Sequence, residues 1–322
     1  MQNSNNTIRP QKLSDFIGQE SIKESLKVFI NSAKSRNATL DHTLFYGPPG
    51  LGKTTLSGII ANELGVSIKH TTGPAIEKVG DLAAILIGLS EGDILFIDEI
   101  HRLPKSVEEV LYSAMEDFKL PIVAGSKRSA HTIVLNLNHF TLIGATTRFG
   151  LISPPLRDRF GIVYHLELYT PEELKRIVLR DGKILNIKIS DEAALLIGER
   201  SRGVPRIAIQ LLRRVRDFAE VKNKRIIDSE AVIEACSSLR IDEFGLNELD
   251  RKYLRNLVGK FKGGPVGIET LSTAMGEDKG TIEDIIEPYL MKINFVLRTP
   301  KGRVATVKAR RYIGTNEENT LF

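Results

Sequence analysis

Apolar residues in the first half of the chain come as short, near-continuous runs rather than in strict alternation. HTLFYG, VSIKHT, ILFIDE, FTLIGATT and IVYHLEL are such runs, and helical stretches separate them. Continuous apolar runs suit parallel strands buried on both faces. Strand alternating with helix predicts an α/β, doubly wound parallel-sheet domain over residues 1–171. The pattern then changes. Thr170-Pro171-Glu172-Glu173 reads as an N-cap, a proline at the first helical position and a capping-box glutamate. Helical periodicity follows, with Ile207, Leu211, Leu212, Val215, Phe218 and Ala219 on one face. Residues 172–242 are therefore read as a small all-helical domain.

From 243 to 322 the order differs again. NELDRKYLRNLVGKF, IETLSTAM and TIEDIIEPYLMKI read as three helices, the last with Thr281 as its cap. The stretch FVLRTPKGRVAT then reads as a hairpin turning at Thr-Pro-Lys-Gly. Three helices and a two-stranded wing make a winged-helix domain, a variant of the helix-turn-helix.

A chain of 322 residues is too long for one core, which agrees with three domains. The composition, 42% hydrophobic and 26% charged, is that of a soluble globular protein. A net charge of +5 is mild, so distribution matters more than total. Between Glu287 and Glu317 lie seven lysines and arginines and no acid, a local field suited to phosphates. Arg298, Lys301 and Arg303 are expected to project from the wing. Cys236 is the single cysteine, and it reads as a small buried helix residue in a cytoplasmic protein. No run approaches a membrane span, and the N-terminus has no apolar leader core.

The chemistry sits in the first domain. GPPGLGKT at 47–54 fits the phosphate-binding loop G-x-x-x-x-G-K-[ST], between a strand and a helix. Its glycines let backbone N–H groups turn towards phosphate oxygens at a helix N-terminus. Lys53 supplies a point charge to the β/γ-phosphates, and Thr54 a hydroxyl for Mg²⁺. ILFIDE delivers Asp98 and Glu99 to a strand's C-terminal edge, where ligands of open α/β sheets bind. Asp98 is placed to hold Mg²⁺ and Glu99 to orient and deprotonate the attacking water. Thr146 or Thr147, ending a further strand, could hold that water or the γ-phosphate. Arg157 and Arg159 in PPLRDRFG are candidate guanidinium fingers for a γ-phosphate. Arg206, in the first turn of the helix opened by GVPRIA, is badly placed for the helix dipole and so is expected to serve another purpose. The histidines show no metal-ligand spacing, since DEIH is not H-E-x-x-H, and His101 reads as structural or helix-capping.

P-loop, DE box, threonine sensor, RF arginine and G-x-P-R together resemble an AAA+ ATPase. More narrowly, the chain resembles the RuvB family, the bacterial Holliday-junction branch-migration motor. RPQKLSDFIGQ, GPAIEKVGDLAAIL, ILFIDEIHRL, FTLIGATTRFGLISPPLRDRFGI, KFKGGPVG and RTPKGRVAT carry that resemblance, which runs from Arg9 to about Thr306. It implies an ATP hydrolase using ATP and Mg²⁺ that pulls duplex DNA through a hexameric ring in recombination, repair and the SOS response. Implied partners are DNA, held by its duplex backbone along the junction arms, a RuvA-type junction binder and a RuvC-type resolvase, with no membrane. Implied nucleotide contacts are Ile8, Arg9 and Tyr169 on the base side, with Gly50, Lys53, Thr54 and Thr55 on the phosphates. Glu116, Asp117 and Phe118 fall in a segment that the family uses at the nucleotide site. Arg159 matches an arginine finger given to the adjacent subunit, Arg206 the lid arginine called sensor 2, and Arg298 and Arg303 the DNA contacts. The chain departs from the family at GVPRIAI, where Val204 and Ile209 replace polar residues. It departs again in the 119–140 segment, a hairpin that docks RuvA in the family, whose turn here is GSKRSAH. A replication-type AAA+ protein, either an initiator or a clamp loader, is the alternative reading, acting as an ATP-switched binder rather than a motor.

Overall fold

The computed structural model describes residues 8–124 and 131–318. It contains two compact units, one of residues 1–47 with 51–167 and one of residues 48–50 with 168–322.

In the first unit the elements run α1 (Glu20–Arg36), β1 (Thr43–Tyr46), α2 (Lys53–Leu64), β2 (Ile68–Thr72), α3 (Val79–Ile87), β3 (Ile94–Asp98) and α4 (Lys105–Glu116). They continue through β4 (Lys119–Ala124), β5 (His131–Asn136), β6 (Thr141–Thr146), α5 (Pro154–Arg157) and β7 (Ile162–His165). The five apolar runs form one parallel sheet in the order β2-β3-β6-β1-β7. Its central strands are buried as expected, and β6 is buried along its whole length. The expectation of two-sided burial fails for β2, whose Lys69, His70 and Thr72 are exposed. As an edge strand β2 has only one hydrogen-bonded neighbour, and one flank faces solvent. Leu44, Leu95, Ile97, Leu111 and Phe140 belong to the core packed against this sheet. Strands β4 and β5 pair separately as an antiparallel hairpin, from Lys119↔Asn136 to Ala124↔His131. The divergent turn GSKRSAH falls almost wholly at 125–130, outside the described residues.

The second unit begins with four helices, α6 (Pro171–Ile184), α7 (Asp191–Glu199), α8 (Pro205–Val221) and α9 (Ser229–Ser238). The capping box that marks its start is formed. The Thr170 hydroxyl accepts from Glu173 N at 3.3 Å, and Thr170 N donates to the Glu173 carboxylate at 2.8 Å. On α8 the apolar stripe buries Leu211, Leu212, Val215 and Ala219, and Cys236 is buried on α9.

The helices α10 (Glu248–Arg255) and α11 (Ile268–Met275) follow, then α12, a continuous run of Lys279–Thr281, Ile282–Ile286 and Glu287–Lys292. The cap of α12 is Asp278, not Thr281. Its carboxylate accepts from Thr281 N at 2.9 Å, so Thr281 lies one turn inside. The Ile282–Ile286 segment is a π-turn, placed immediately before Pro288. Proline lacks an N–H and crowds the carbonyl four residues back, and a widened turn accommodates both. Strands β8 (Val296–Thr299) and β9 (Gly302–Ala305) make the wing. Gly302 is required there, because at φ +128° an added Cβ would lie 2.4 Å from Val266 O. Tyr253, Leu271, Ile286, Leu290 and Phe295 lie in the core beneath.

A last helix, α13 (Val307–Glu318), was not foreseen. Its signal is short: Thr306 caps Ala309 N at 3.3 Å, and among residues 307–314 Ala309 and Ile313 are buried, at helical spacing. Within this unit a buried ion pair ties the four-helix part to the winged part. Arg202 donates to Asp250 at 2.9 Å and to Ile285 O at 3.0 Å.

Candidate nucleotide and DNA sites

Parallel register brings three strand ends to one edge of the first unit's sheet. Tyr46, ending β1, pairs with Thr146, ending β6, while Ile97 of β3 pairs with Gly144 of β6. The phosphate-loop sequence therefore leaves β1 beside Asp98, Glu99 and Thr146, at the edge where open α/β sheets bind ligands. The loop depends on glycine at its first position. Gly47 has φ +138°, and an added Cβ would meet Leu166 O at 2.4 Å. Lys53 opens α2, is 7% exposed, and its ammonium donates to Gly47 O at 2.7 Å. A lysine folded back across a glycine turn is a ready charge for an anion seated on the helix N-terminus. Thr54 and Thr55, in the first turn of the same helix, are half-buried. They line a cavity of about 430 Å³ together with Arg9, Asn62, Ile68 and His70. Arg9 thus stands beside the phosphate-loop helix, while Ile8 is buried. Burial, and then the nearby Arg9 charge, hold the His70 imidazole below its ordinary pKa.

Glu99 sits just past β3 with φ +49°, a left-handed conformation costing a non-glycine residue about 1–2 kcal/mol. Thr147 donates to its carboxylate at 3.3 Å, and His101 Nδ1 lies 3.3 Å from the same oxygen. The same Nδ1 is 2.8 Å from Thr146 Oγ1, which also accepts from Arg148 N at 2.9 Å. Both candidate sensor threonines therefore touch the acid–histidine group, one directly and one through His101. His101 itself occupies a single 3₁₀ turn, Ile100–Arg102, and faces the site rather than capping a helix. The sequence reading missed this. The DEIH spacing that excluded a metal motif is the signal that places His101 two residues beyond Glu99. Asp98 accepts from Glu99 N at 3.0 Å. A half-buried carboxylate beside a threonine-tipped helix fits a hard, oxygen-liganded cation such as Mg²⁺. Among the described residues, no three His, Cys, Asp or Glu residues form a cluster able to hold a metal by themselves.

Arg159 and Glu116 belong together. The guanidinium donates to Glu116 at 3.0 Å and to Pro155 O at 2.7 Å, and stacks 4.4 Å from the centre of the Tyr112 ring. Its Nε is buried without a hydrogen-bond partner among the described residues. Arg157 is held internally, with its guanidinium over the Phe149 ring and donating to Ile152 O at 3.2 Å. Asp117 is exposed, and Phe118 stacks on His139 with ring centres 4.3 Å apart.

In the second unit, Tyr169 is buried and its N–H donates to Gly203 O at 2.9 Å. Arg206 is exposed on the first turn of α8. The wing corrects one expectation. Arg303 does not project: it is 8% exposed, and donates to Glu287 through Nε at 2.8 Å and to Glu283 at 2.8 Å. Arg298 donates to Glu287 at 2.6 Å but stays exposed, as does Lys301 at the turn. The acids lie on α12, upstream of the basic window read from the sequence, and the hairpin folds back onto them. Among the described residues no helix is long and apolar enough to cross a membrane.

Comparison with known proteins follows the same division. Residues 8–166 match the family model described as Holliday junction DNA helicase RuvB P-loop domain. Residues 169–242 match the RuvB AAA lid domain, and residues 243–314 the RuvB C-terminal winged helix domain. A Holliday junction branch migration complex subunit RuvB from Lawsonia intracellularis is 58% identical over 311 residues, covering 97% of this chain and 91% of that one. The protein of the same description from Limosilactobacillus reuteri is 56% identical over 308 residues, covering 96% and 91%. The solved structure of the Thermotoga maritima RuvB Holliday junction branch migration motor superposes with a TM-score of 0.88 at 47% identity, covering 96% of this chain and 98% of that one. A P-loop AAA+ domain, a lid and a winged helix in this order, with matches of this extent, place the chain in the RuvB family.

Proposed function

We propose that this chain is the ATP-driven motor that branch-migrates Holliday junctions, working as a ring of like subunits in the cytoplasm. One observation supports the reading most directly. The phosphate loop, Asp98, Glu99 and Thr146 converge on one sheet edge, whereas the Arg159 guanidinium, among the described residues, is held by Glu116 and Tyr112 of α4 and Pro155 of α5. Phosphate-binding and hydrolytic residues gathered on one sheet edge, with the finger turned to other residues, suit catalysis shared between neighbouring subunits.

In this reading Gly50, Lys53, Thr54 and Thr55 hold the phosphates, and Ile8, Arg9 and Tyr169 bound the base. Thr54 and Asp98 hold Mg²⁺, which when bound neutralises charge on the β- and γ-phosphates. Glu99 orients the attacking water and takes its proton. Arg159, steadied by Glu116, which the Asp117–Phe118 corner follows in the chain, serves the neighbouring subunit's nucleotide. The guanidinium N–H now given to Glu116 is the donor available for the transferring phosphate. Arg206 reports the nucleotide state to the lid, and the wing, with Arg298 exposed on it and Arg303 bracing it from within, holds duplex phosphates. The β4–β5 hairpin is the proposed dock for a RuvA-type partner, and a RuvC-type resolvase completes the complex.

The test is ATP hydrolysis with and without a four-way DNA junction, each with and without the junction-binding partner. Stimulation by the junction, enhanced by the partner, is expected. Hydrolysis indifferent to DNA but raised by unfolded polypeptide would replace this reading with protein remodelling.

A further inference from the structure

His101 lies at the centre of the nucleotide site, and none of the roles above uses it. Its side chain is 8% exposed, and one ring nitrogen, Nδ1, faces two oxygens: Thr146 Oγ1 at 2.8 Å and Glu99 Oε2 at 3.3 Å. A carboxylate oxygen accepts hydrogen bonds, so the arrangement is satisfied when Nδ1 carries the hydrogen. Thr146 Oγ1 then accepts from Nδ1–H as well as from Arg148 N–H. With both acceptor directions filled, the remaining capacity of Thr146 is its own O–H, which becomes a donor. A donor is what a γ-phosphate oxygen or an attacking water's lone pair needs from this strand end. Glu99, strained at φ +49°, is tethered by the same nitrogen and by the Thr147 hydroxyl.

We propose that His101 is a positioning residue that binds the general base Glu99 and the sensor Thr146 into one hydrogen-bonded unit. In this unit the imidazole Nδ1–H sets Thr146 as a donor and fixes where the Glu99 carboxylate rests. The ends of β3 and β6 then respond to the γ-phosphate together rather than separately. This rests on the ATPase reading above. It also selects Thr146 over Thr147 as the threonine whose role depends on the histidine.

The experiment compares His101→Phe and His101→Asn in the full chain. Asparagine places an amide N–H near the position of Nδ1, whereas phenylalanine keeps the ring and removes the donor. Single-turnover hydrolysis and the affinity for a fluorescent ATP analogue are measured, with thermal melting as a check on folding. Loss of a group that orients a catalytic residue typically costs about 10- to 100-fold. The expected result is a loss of that size in hydrolysis for His101→Phe, analogue affinity within about twofold of wild type, and substantial recovery in His101→Asn. Combined with Thr146→Val, the His101→Phe loss should be far less than multiplicative, because both changes break one unit. Should His101→Phe fail to fold, His101→Asn and its cycle with Thr146→Val carry the test. A fully multiplicative cycle, or equal losses in a folded His101→Phe and in His101→Asn, would overturn the proposal alone. Glu99→Gln hydrolysing as fast as wild type would remove Glu99 as the base and the proposal with it, whereas a wild-type chain that does not hydrolyse ATP would overturn the ATPase reading itself.

Discussion

Replacing Glu287 with glutamine asks whether the wing is held by charge or by packing alone. The side chain is 1% exposed and serves three partners at once. Oε1 accepts from Arg303 Nε at 2.8 Å and from the Tyr253 hydroxyl at 3.1 Å, and Oε2 accepts from Arg298 at 2.6 Å. Burial, followed by the Glu287 charge, pushes the Tyr253 phenol well above its ordinary range, so Tyr253 remains a donor to this carboxylate. Glutamine preserves the volume, removes the charge and turns one acceptor into a donor aimed at a guanidinium. Removing one member of a buried ion pair costs about 3–5 kcal/mol, most of it the stranded partner. Two features place this case at the lower end. Arg298 is 46% exposed and rehydrates, and Glu283 still accepts from Arg303 at 2.8 Å. The expected loss is therefore about 3 kcal/mol, confined to the winged domain.

A domain of this size loses about 4–8 °C in its transition per kcal/mol, so the wing should open roughly 12–24 °C sooner. Hydrogen exchange read peptide by peptide resolves this without requiring the whole chain to melt as one unit. Peptides over β8, β9 and α12 should lose protection in Glu287→Gln, while those of the nucleotide domain stay unchanged. Glu283→Gln, at an acid 37% exposed, is the matched control and should cost no more than about 1 kcal/mol. Wild-type protection across the wing in Glu287→Gln would refute the reasoning and leave the network as incidental to packing.

Other expectations follow from the nucleotide site, the wing and one half-buried histidine. Lys53→Ala should lose nucleotide binding, whereas Glu99→Gln should bind ATP yet hydrolyse it about 10²–10⁴-fold more slowly, measured by phosphate release. Mixing Arg159→Ala with Lys53→Ala protein should restore hydrolysis in mixed rings; no recovery at any ratio would remove action between subunits. Arg298→Ala should weaken duplex binding equally across sequences and lower the salt slope by about one, and loss confined to one sequence would contradict that. His42 accepts from Leu142 N at 2.9 Å and faces Met115 O at 3.0 Å, so protonating its second nitrogen breaks a partly buried bond. Burial accordingly holds its pKa below the ordinary 6.5. Below pH 6.5 the unfolded chain takes up a proton that the folded one refuses, so this contribution is complete above 6.5 and is lost as pH falls. Urea unfolding should show a slope of up to about 1.4 kcal/mol per pH unit there that His42→Gln lacks, and equal slopes would exclude His42 as its source.

Much of this architecture is legible in the chain because its signals are local. Buried parallel strands write themselves as apolar runs, the Thr170–Glu173 box as four consecutive residues, and the phosphate loop as eight. Each feature is decided by neighbours in sequence, and the structure contains all of them. What the sequence hides is whatever depends on two distant segments meeting. The exposure of β2 follows from its place at the sheet edge, which strand order fixes and composition does not. The role proposed for His101 depends on β6 lying beside β3, which brings Thr146 to a residue 45 positions earlier in the chain. The Arg159–Glu116 pair is another such meeting, between a loop after α5 and the end of α4.

The wing shows the difference most clearly. Between Glu287 and Glu317 the sequence offers seven cations and no anion, and that window begins one residue after the acid that matters. A hairpin that follows a helix folds back along it, so its arginines meet carboxylates 11 to 20 positions upstream. The consequence reaches the DNA contact. Arg303 spends its guanidinium on two carboxylates and acts first as the brace of the wing. In the proposed DNA contact, Lys301 and the exposed part of Arg298 are the cations that the hairpin offers to a phosphate. Because Arg298 is already paired, a phosphate must share it with Glu287 rather than capture a free cation, which lowers the gain per contact. For a motor that must release each phosphate as the duplex advances, a cation shared with a fixed carboxylate is better suited than an unpaired one, whose grip would resist translocation.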